Sequence, residues 1–297
     1  MIAEHIQSFL RKSWTDRFAT AEFKFRQGLA KLPYIPVPLH LRLSPRDELT
    51  LKWSYVSPFH DPNRGFFDYW AGDLPELQLL WKILEPGMVF MDIGAYHGVY
   101  SLVAAKRLGG RGQIVAFEPS PRERHRLNLH LRWNGIRTVR VESCAVSSGI
   151  SSCPFFQVVS GDTTRNGLRP PASADVVKKL AIKTISLDQY VLDSSLGRVD
   201  VIKLDVEGAE LDAFRGAGKV LTDLRPIFIC EVLDATAKVW GYEAKQTVAM
   251  LKTFDFEWFE ICSDGTIVPH EMKDCYPQVR NYLAVPREKC RAVVGAA

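Results

Sequence analysis

No two of the six cysteines, Cys144, Cys153, Cys230, Cys262, Cys275 and Cys290, form a C-x-x-C pair. That excludes the common zinc and dithiol frames and predicts reduced, mostly buried thiols in a cytoplasmic protein. No apolar run approaches the roughly 20 residues that a membrane-spanning helix needs. The N-terminus, MIAEHIQSFLRKSW, carries Glu4 and no long apolar core, so no signal peptide is expected. Charge of one sign is scarce: the net value is +4 over 297 residues, too little to point to nucleic acid. There is no G-x-S-x-G, so acyl-serine chemistry is not expected. What is present is an ordinary globular composition, 46% hydrophobic and 24% charged, which can bury a core. The length allows one large domain or one domain plus a cap.

The most informative stretch is Val89–Tyr100, VFMDIGAYHGVY. A short apolar run ends in Asp92; Gly94 and Gly98 follow, then a helix-like run, Val99–Leu108. This reads as strand, glycine turn, helix. The glycines let a ligand approach the backbone, and the helix start offers unpaired N–H groups. About 20 to 30 residues on, a second apolar run, Ile114–Phe117, ends in Glu118, an acid placed to accept from both hydroxyls of a ribose. The dinucleotide fingerprint G-x-G-x-x-G is missing. Tyr96 stands where its second glycine should be and Val99 where its third should be, so a pyrophosphate is poorly served. S-adenosylmethionine has no phosphate and does not need that spacing. Asp92 is placed to meet the ammonium side of such a ligand, directly or through water.

VFMDIGAYHGVYSL, IVAFEPSPRERHRLNLHLRWNG, KTISLDQYV and VIKLDVEGAELDAFRGAGKVL occur in that order. Together they resemble the successive motifs of the FkbM family of S-adenosylmethionine-dependent methyltransferases. The likeness runs from Leu84 to Val232, with a weaker echo through Val285. It implies an α/β fold: a Rossmann-like seven-stranded sheet, mostly parallel with the last strand antiparallel, helices on both faces, and an N-terminal cap. It also implies O-methylation of a small molecule or sugar. The family commonly has Asn and an aliphatic residue where this chain has Tyr96 and His97. The cofactor contacts it implies are Asp92, Gly94, Ala95, Tyr96, Gly98, Glu118, Pro119, Ser120 and Asp205, with Ala145 and Val146 beside the adenine.

The expected organisation is a helical and β cap over 1–74 and a cofactor-binding domain over 75–297. Residues 1–30 read as helical, and Arg11, Lys12, Arg17, Lys24 and Arg26 leave peripheral membrane contact open beside simple packing. Leu39–Leu43 and Leu49–Trp53 alternate as a hairpin, and Pro58–Pro62 reads as loop. A short helix is expected from Pro75 to Leu84. Phe66–Trp70 is either core between cap and sheet or an aromatic wall over the methyl donor or acceptor. Arg122–Trp133 reads as a helix entered through Pro121 and closed by Gly135. Its basic cluster, Arg122, Arg124, His125 and Arg126, is a solvated face or a phosphate contact. Val139–Ala145 is expected as one strand. The polar stretch 148–180 reads as a β excursion with a flap near the acceptor. Further strands are expected at Val199–Leu204, Ile227–Cys230, Glu257–Cys262 and Tyr282–Val285, the last two as an antiparallel edge, with a helix at Lys245–Thr253.

Asp205, Glu207 and Glu210 follow the fourth core strand, where their mutual repulsion is costly unless something uses them. The catalytic candidates are Asp205 as proton acceptor, Glu207 in support and His97 as the alternative base. Asp205, Glu207 and Glu231 as magnesium ligands is the metal alternative, and no metal is the reading preferred. The expected partner is a small-molecule or carbohydrate hydroxyl acceptor. A nicotinamide-dependent oxidoreductase, a nucleic-acid methyltransferase and a non-catalytic binding module are the competing readings. Tyr96 argues against the first. The lack of an N-P-P tetrapeptide ending in an aromatic argues against the second, and the acids at 205, 207 and 231 against the third.

Overall fold

The computed structural model describes residues 36–53, 66–160, 163–171 and 176–296. The expected helix over 1–30 and the loop Pro58–Pro62 lie outside them. The period-two stretches form the hairpin they predict: β1 (Val37–Arg42) pairs antiparallel with β2 (Glu48–Trp53), Leu39 opposite Leu51. α1 (Phe66–Ile83) begins well before Pro75, which lies inside the helix and not at its first turn. The 74/75 boundary therefore falls within one helix.

Two strand–turn–helix units follow where the apolar runs place them: β3 (Val89–Ile93), α2 (Val99–Leu108), β4 (Gln113–Phe117) and α3 (Pro121–Trp133). Ser120 caps α3, its hydroxyl accepting from the Glu123 N–H, and Pro121 opens the first turn. β5 (Val139–Glu142) is shorter than expected, and the single strand foreseen over 139–145 is in fact two. The last rung joins the Glu118 N–H to the Glu142 carbonyl; beyond it Ser143 is exposed and the chain leaves the sheet. β6 (Ala145–Val146), β7 (Ser151–Ser160) and β8 (Val176–Ile185) make a separate three-stranded sheet in the order β6-β8-β7. A 3₁₀ turn, Thr163–Arg165, lies between β7 and β8.

Besides a π-helical turn at Val220–Leu224 and a 3₁₀ turn at Arg287–Lys289, the remaining elements are α4 (Leu187–Asp193), β9 (Val201–Leu204), α5 (Glu210–Arg215), β10 (Ile227–Glu231), α6 (Asp234–Val239), α7 (Lys245–Thr253), β11 (Phe256–Ile261), β12 (Ile267–Pro269), β13 (Asn281–Pro286) and α8 (Cys290–Ala296). Among the described residues the main sheet runs β12-β11-β13-β10-β9-β3-β4-β5. β10, β9, β3, β4 and β5 are parallel to their neighbours in that run, and β13 is antiparallel to both β10 and β11. The Rossmann-like sheet, with its last strand antiparallel, is present. β12, three residues long, adds an eighth strand at the edge.

The central strands are buried on both faces, as parallel strands between helix layers must be. One face carries Phe90, Val201 and Ile229 against Leu77, Leu80 and Leu102 of α1 and α2, with Leu51 and Trp53 of the hairpin in the same core. The other carries Met91, Ile202 and Phe228 against Leu187, Phe214 and Val248. Asn134, capping α3, fixes the hairpin to that helix. Its side chain accepts from the Lys52 N–H and donates to the Lys52 carbonyl, both at 2.8 Å.

All six cysteines are free, but only Cys230 is buried and Cys275 is exposed, which corrects the expectation of mostly buried thiols. Among the described residues, no helix is long and apolar enough to cross a membrane.

Candidate functional site

The carboxyl ends of β3, β4 and β9 meet at the reversal of strand order, where open α/β sheets bind ligands. The glycine turn is held by its neighbours. The N–H groups of Gly94 and Ala95 both donate to the Phe117 carbonyl, and the Asp205 N–H donates to the Ile93 carbonyl. Gly94 has φ +83°, and a Cβ there would sit 1.7 Å from the Asp205 carbonyl oxygen. No side chain fits, so the turn and the end of β9 close into one wall. Tyr96 takes a left-handed backbone, φ 49°, which aims its N–H at Glu118.

Glu118 lies between two backbone donors. Its Oε2 accepts from Tyr96 N at 2.7 Å and its Oε1 from Ser120 N at 2.8 Å. Burial pushes this carboxyl up to about 8, against the pull of those hydrogen bonds. A cavity enclosing about 720 Å³, solvent at its mouth included, opens beside it. Of the sequence-derived candidates, Gly94, Tyr96, Glu118, Pro119, Ala145, Val146, Asp205 and Glu207 line it.

The other candidates stand behind the wall. Asp92 is 1% exposed; its Oδ2 accepts from the Ser101 N–H and hydroxyl at 3.0 and 2.6 Å, fixing the first turn of α2. Gly98 makes close packing possible, since a Cβ there would meet Leu127. Ser120 is fully buried as the cap of α3 and accepts from Gln157 Nε2 at 2.6 Å. Ala95 is buried in the core and is not part of the lining.

His97 needs correcting as a candidate base. It does not line the cavity: its Nε2 is 2.7 Å from Glu123 Oε2, and its ring stacks on Tyr96 at 3.7 Å. Burial lowers its affinity for a proton. Glu123, also buried, is held below the usual carboxylate range by His97 and Arg122, which outweigh burial. Arg122, itself one-third exposed, forms an ion pair with the buried Glu123, so one end of the basic cluster is engaged within the protein.

Glu210 is also explained by structure. Its Oε1 accepts from the N–H groups of Val206 and Gly208, closing the turn before α5, and burial lifts it to about 7. Among the described residues no group of three His, Cys, Asp or Glu side chains could hold a metal ion, Asp205, Glu207 and Glu231 included.

Sequence reasoning missed two parts of the site. The first is the identity of the far wall: the 148–180 excursion was expected near the acceptor, but not that its Phe155, Thr164, Asn166, Gly167 and Leu168 line the cavity. Tyr96 and Thr163 hydroxyls lie 2.7 Å apart, and Asn166 Nδ2 donates to Glu123 Oε1 at 3.4 Å, so this wall is tied to the glycine turn and to α3. The second is Lys203, 2% exposed, whose Nζ donates to Asp205 Oδ2 at 3.0 Å and to Asn281 Oδ1 at 2.9 Å. Its ammonium also lies over the Tyr100 ring, 5.2 Å from the centroid. A lysine inside the otherwise apolar strand VIKL was the available signal.

The cavity joins one buried acid to an apolar wall. The buried Glu118 carboxyl stands beside the apolar group Ala145, Val146, Phe155 and Leu168, and Tyr96 stands in the turn where the dinucleotide fingerprint has its second glycine. Fold and site define a nucleoside-cofactor-binding α/β protein of the methyltransferase type. A profile of the methyltransferase FkbM domain matches residues 92–261, and the chain belongs to that family, whose methyl donor is S-adenosylmethionine.

Three curated relatives give the range of likeness. The chain is 27% identical over 232 residues to the AMB antimetabolite synthetase AmbE of Pseudomonas aeruginosa, covering 65% of this chain and 10% of that one. It is 27% identical over 169 residues to Methyltransferase 1 of Beauveria bassiana, covering 50% of this chain and 68% of the other. It is 25% identical over 160 residues to the hexuronic acid methyltransferase AglP of Haloferax volcanii, covering 53% and 62%. The chain thus spans a small part of the first and about two thirds of the others.

Proposed function

We propose that the protein transfers a methyl group from S-adenosylmethionine to a hydroxyl oxygen of a small molecule or sugar. The observation that carries this reading is one cavity lined both by the glycine turn with Glu118 and by Asp205 with Glu207. The likeness to a hexuronic acid methyltransferase supports a sugar acceptor. In this reading Glu118 accepts from the ribose hydroxyls, and Ala145, Val146, Phe155 and Leu168 enclose the base. Residues 164–168 roof the cavity and exclude water.

When bound, the cofactor supplies an electrophilic methyl carbon on a sulfonium. Asp205 takes the proton of the acceptor hydroxyl as the oxygen gains that methyl, so the carboxylate and the sulfonium lose their charges together. Lys203 holds the Asp205 carboxylate in place through the 3.0 Å hydrogen bond. Glu207 stands beside it on a left-handed backbone, φ 55°. No covalent enzyme intermediate is needed, in keeping with the missing nucleophile motif.

Calorimetric titration with S-adenosylmethionine and, separately, with a nicotinamide dinucleotide is the test. Binding of the first and none of the second is expected. The reverse would overturn the reading and restore the oxidoreductase alternative.

A further inference from the structure

The roof of the cavity, residues 163–169, is held differently along its length. Its middle is fixed by backbone. Gly167 and Phe156 of β7 exchange both main-chain hydrogen bonds, at 2.8 and 3.2 Å, and Asn166 Oδ1 accepts from the Val158 N–H at 2.8 Å. Gly167 also packs on the turn after β9: a Cβ there would lie 3.5 Å from the Glu207 Cβ. One end meets the glycine turn through the Tyr96 and Thr163 hydroxyls. The other end is held by a side chain. The Arg169 guanidinium lies over the Trp240 ring, 4.9 Å from its centroid.

The two halves of this contact are unlike. Trp240, at the C-terminal end of α6, belongs to a packed floor. A Cβ on Gly208 would come 2.8 Å from its Cδ1, so the ring and the turn that carries Glu207 touch without a gap. The Tyr242 hydroxyl fastens the same turn, donating to the Gly208 carbonyl at 2.6 Å. Arg169 is exposed and can leave Trp240 by side-chain rotation, with no backbone hydrogen bond broken. Leu168, between the fixed Gly167 and Arg169, lines the cavity, so freeing Arg169 loosens the apolar side chain next to it. Arg169 and Trp240 themselves are not part of the lining.

We infer that Arg169 and Trp240 form a releasable clasp on the roof, and that its opening sets how fast the cofactor enters and leaves. The inference rests on the methyltransferase reading and adds a gate to it, on the Glu207 side of the cavity. The walls opposite are held by backbone. Gly94 is locked against the Asp205 carbonyl, Glu118 is held by two N–H groups, and β6 is paired with β8.

The clasp holds the roof and not the ligand, so it stabilises the closed form of the empty and the filled site alike. Weakening it raises the open fraction of both. Association and dissociation then speed up together while Kd stays the same. Losing one exposed contact of this kind corresponds to about fivefold in the open fraction, or about 1 kcal/mol. Loss of a side chain that held the ligand directly would raise the dissociation rate alone. Loss of one that only supported the fold would lower the unfolding midpoint.

The test is the kinetics of S-adenosylhomocysteine binding to the full chain, by surface plasmon resonance or stopped flow. Arg169→Gln should raise both rate constants about fivefold, with Kd within about twofold of the parent and the unfolding midpoint unchanged. Trp240→Phe keeps a ring and should leave both rates close to the parent's. Arg169→Gln combined with Trp240→Leu should be little faster than Arg169→Gln alone, because both remove the same contact. Unchanged rates in Arg169→Gln overturn the inference, and so does faster dissociation with unchanged association. That variant decides the matter even where a Trp240→Leu protein fails to fold, since Arg169 is exposed. Failure of the unaltered chain to bind S-adenosylhomocysteine would instead refute the methyltransferase reading itself, and this inference with it.

Discussion

Glu118→Gln separates what this carboxyl does for the fold from what it does for the cofactor. Glutamine offers one acceptor oxygen where the carboxyl offers two, so one of the two N–H groups, Tyr96 or Ser120, then faces an amide donor. Leaving a buried donor unmatched should cost about 1–3 kcal/mol of stability, read as a lower unfolding midpoint. Binding should suffer separately. Losing a charged acceptor for the ribose hydroxyls costs roughly 1.5–3 kcal/mol, or about 10- to 150-fold in Kd.

The pH dependence sharpens this. With the carboxyl at about 8, its ionised fraction climbs from about a tenth at pH 7 to about nine-tenths at pH 9. The folded value is raised above the ordinary one, so the free protein holds a proton that binding must displace, and affinity rises with pH by about tenfold over that interval. Titration with S-adenosylhomocysteine at both pH values, on parent and variant, is the assay. The amino group of the ligand titrates alike in both, so the difference between the two curves isolates Glu118. Equal affinity in a well-folded Glu118→Gln protein, or parallel pH curves, would refute the placement of the ribose.

Three further outcomes follow from the same geometry. Gly94→Ala puts a Cβ 1.7 Å from the Asp205 carbonyl oxygen at φ +83°, so cofactor binding should be lost and the unfolding midpoint lowered; a variant that binds normally would show that the turn and β9 are not locked together. Asp205→Asn should lower kcat by about 10²–10⁴ with cofactor affinity nearly intact, measured as methyl transfer to a hydroxyl acceptor that the parent turns over; full turnover in this variant with loss in His97→Ala would reverse the assignment. Hydrogen exchange should show residues 163–168 better protected with S-adenosylhomocysteine bound, because they roof the cavity through Tyr96 and Asn166; equal protection with cofactor and acceptor both present would leave them a fixed wall.

The parts of the fold written in local pattern were legible. Val99–Leu108 and Lys245–Thr253 match their helices to the residue, and Asp92, Gly94 and Glu118 stand at the strand ends that the apolar runs marked. What escaped was set by long-range contact. Val139–Ala145 reads as one strand because its apolar residues continue past Glu142, yet β6 finds its partner in β8, some forty residues on. β12 is only three residues long, too few for any period to show. Pro75 looked like a helix start because proline favours first turns, and local sequence did not reveal that the helix continues behind it.

In the site, Glu118 could be named from its spacing, but not the two N–H groups that hold it, since one comes from the glycine turn 22 residues back. His97 looked like a base by residue type; Glu123, 26 residues away, makes it internal. Phe155 and Leu168 sit in the stretch read as a β excursion with a flap, and their place was set by long-range pairing: Phe155 lies on β7, and Leu168 follows Gly167, which bridges to Phe156.

A crystal structure of the chain with S-adenosylhomocysteine tests the placement of the methyl donor most directly. The ribose hydroxyls should meet Glu118, the adenine should lie among Ala145, Val146, Phe155 and Leu168, and the sulfur should be nearer Asp205 than His97. A nucleoside bound away from Glu118, or a sulfur directed toward His97, would contradict it.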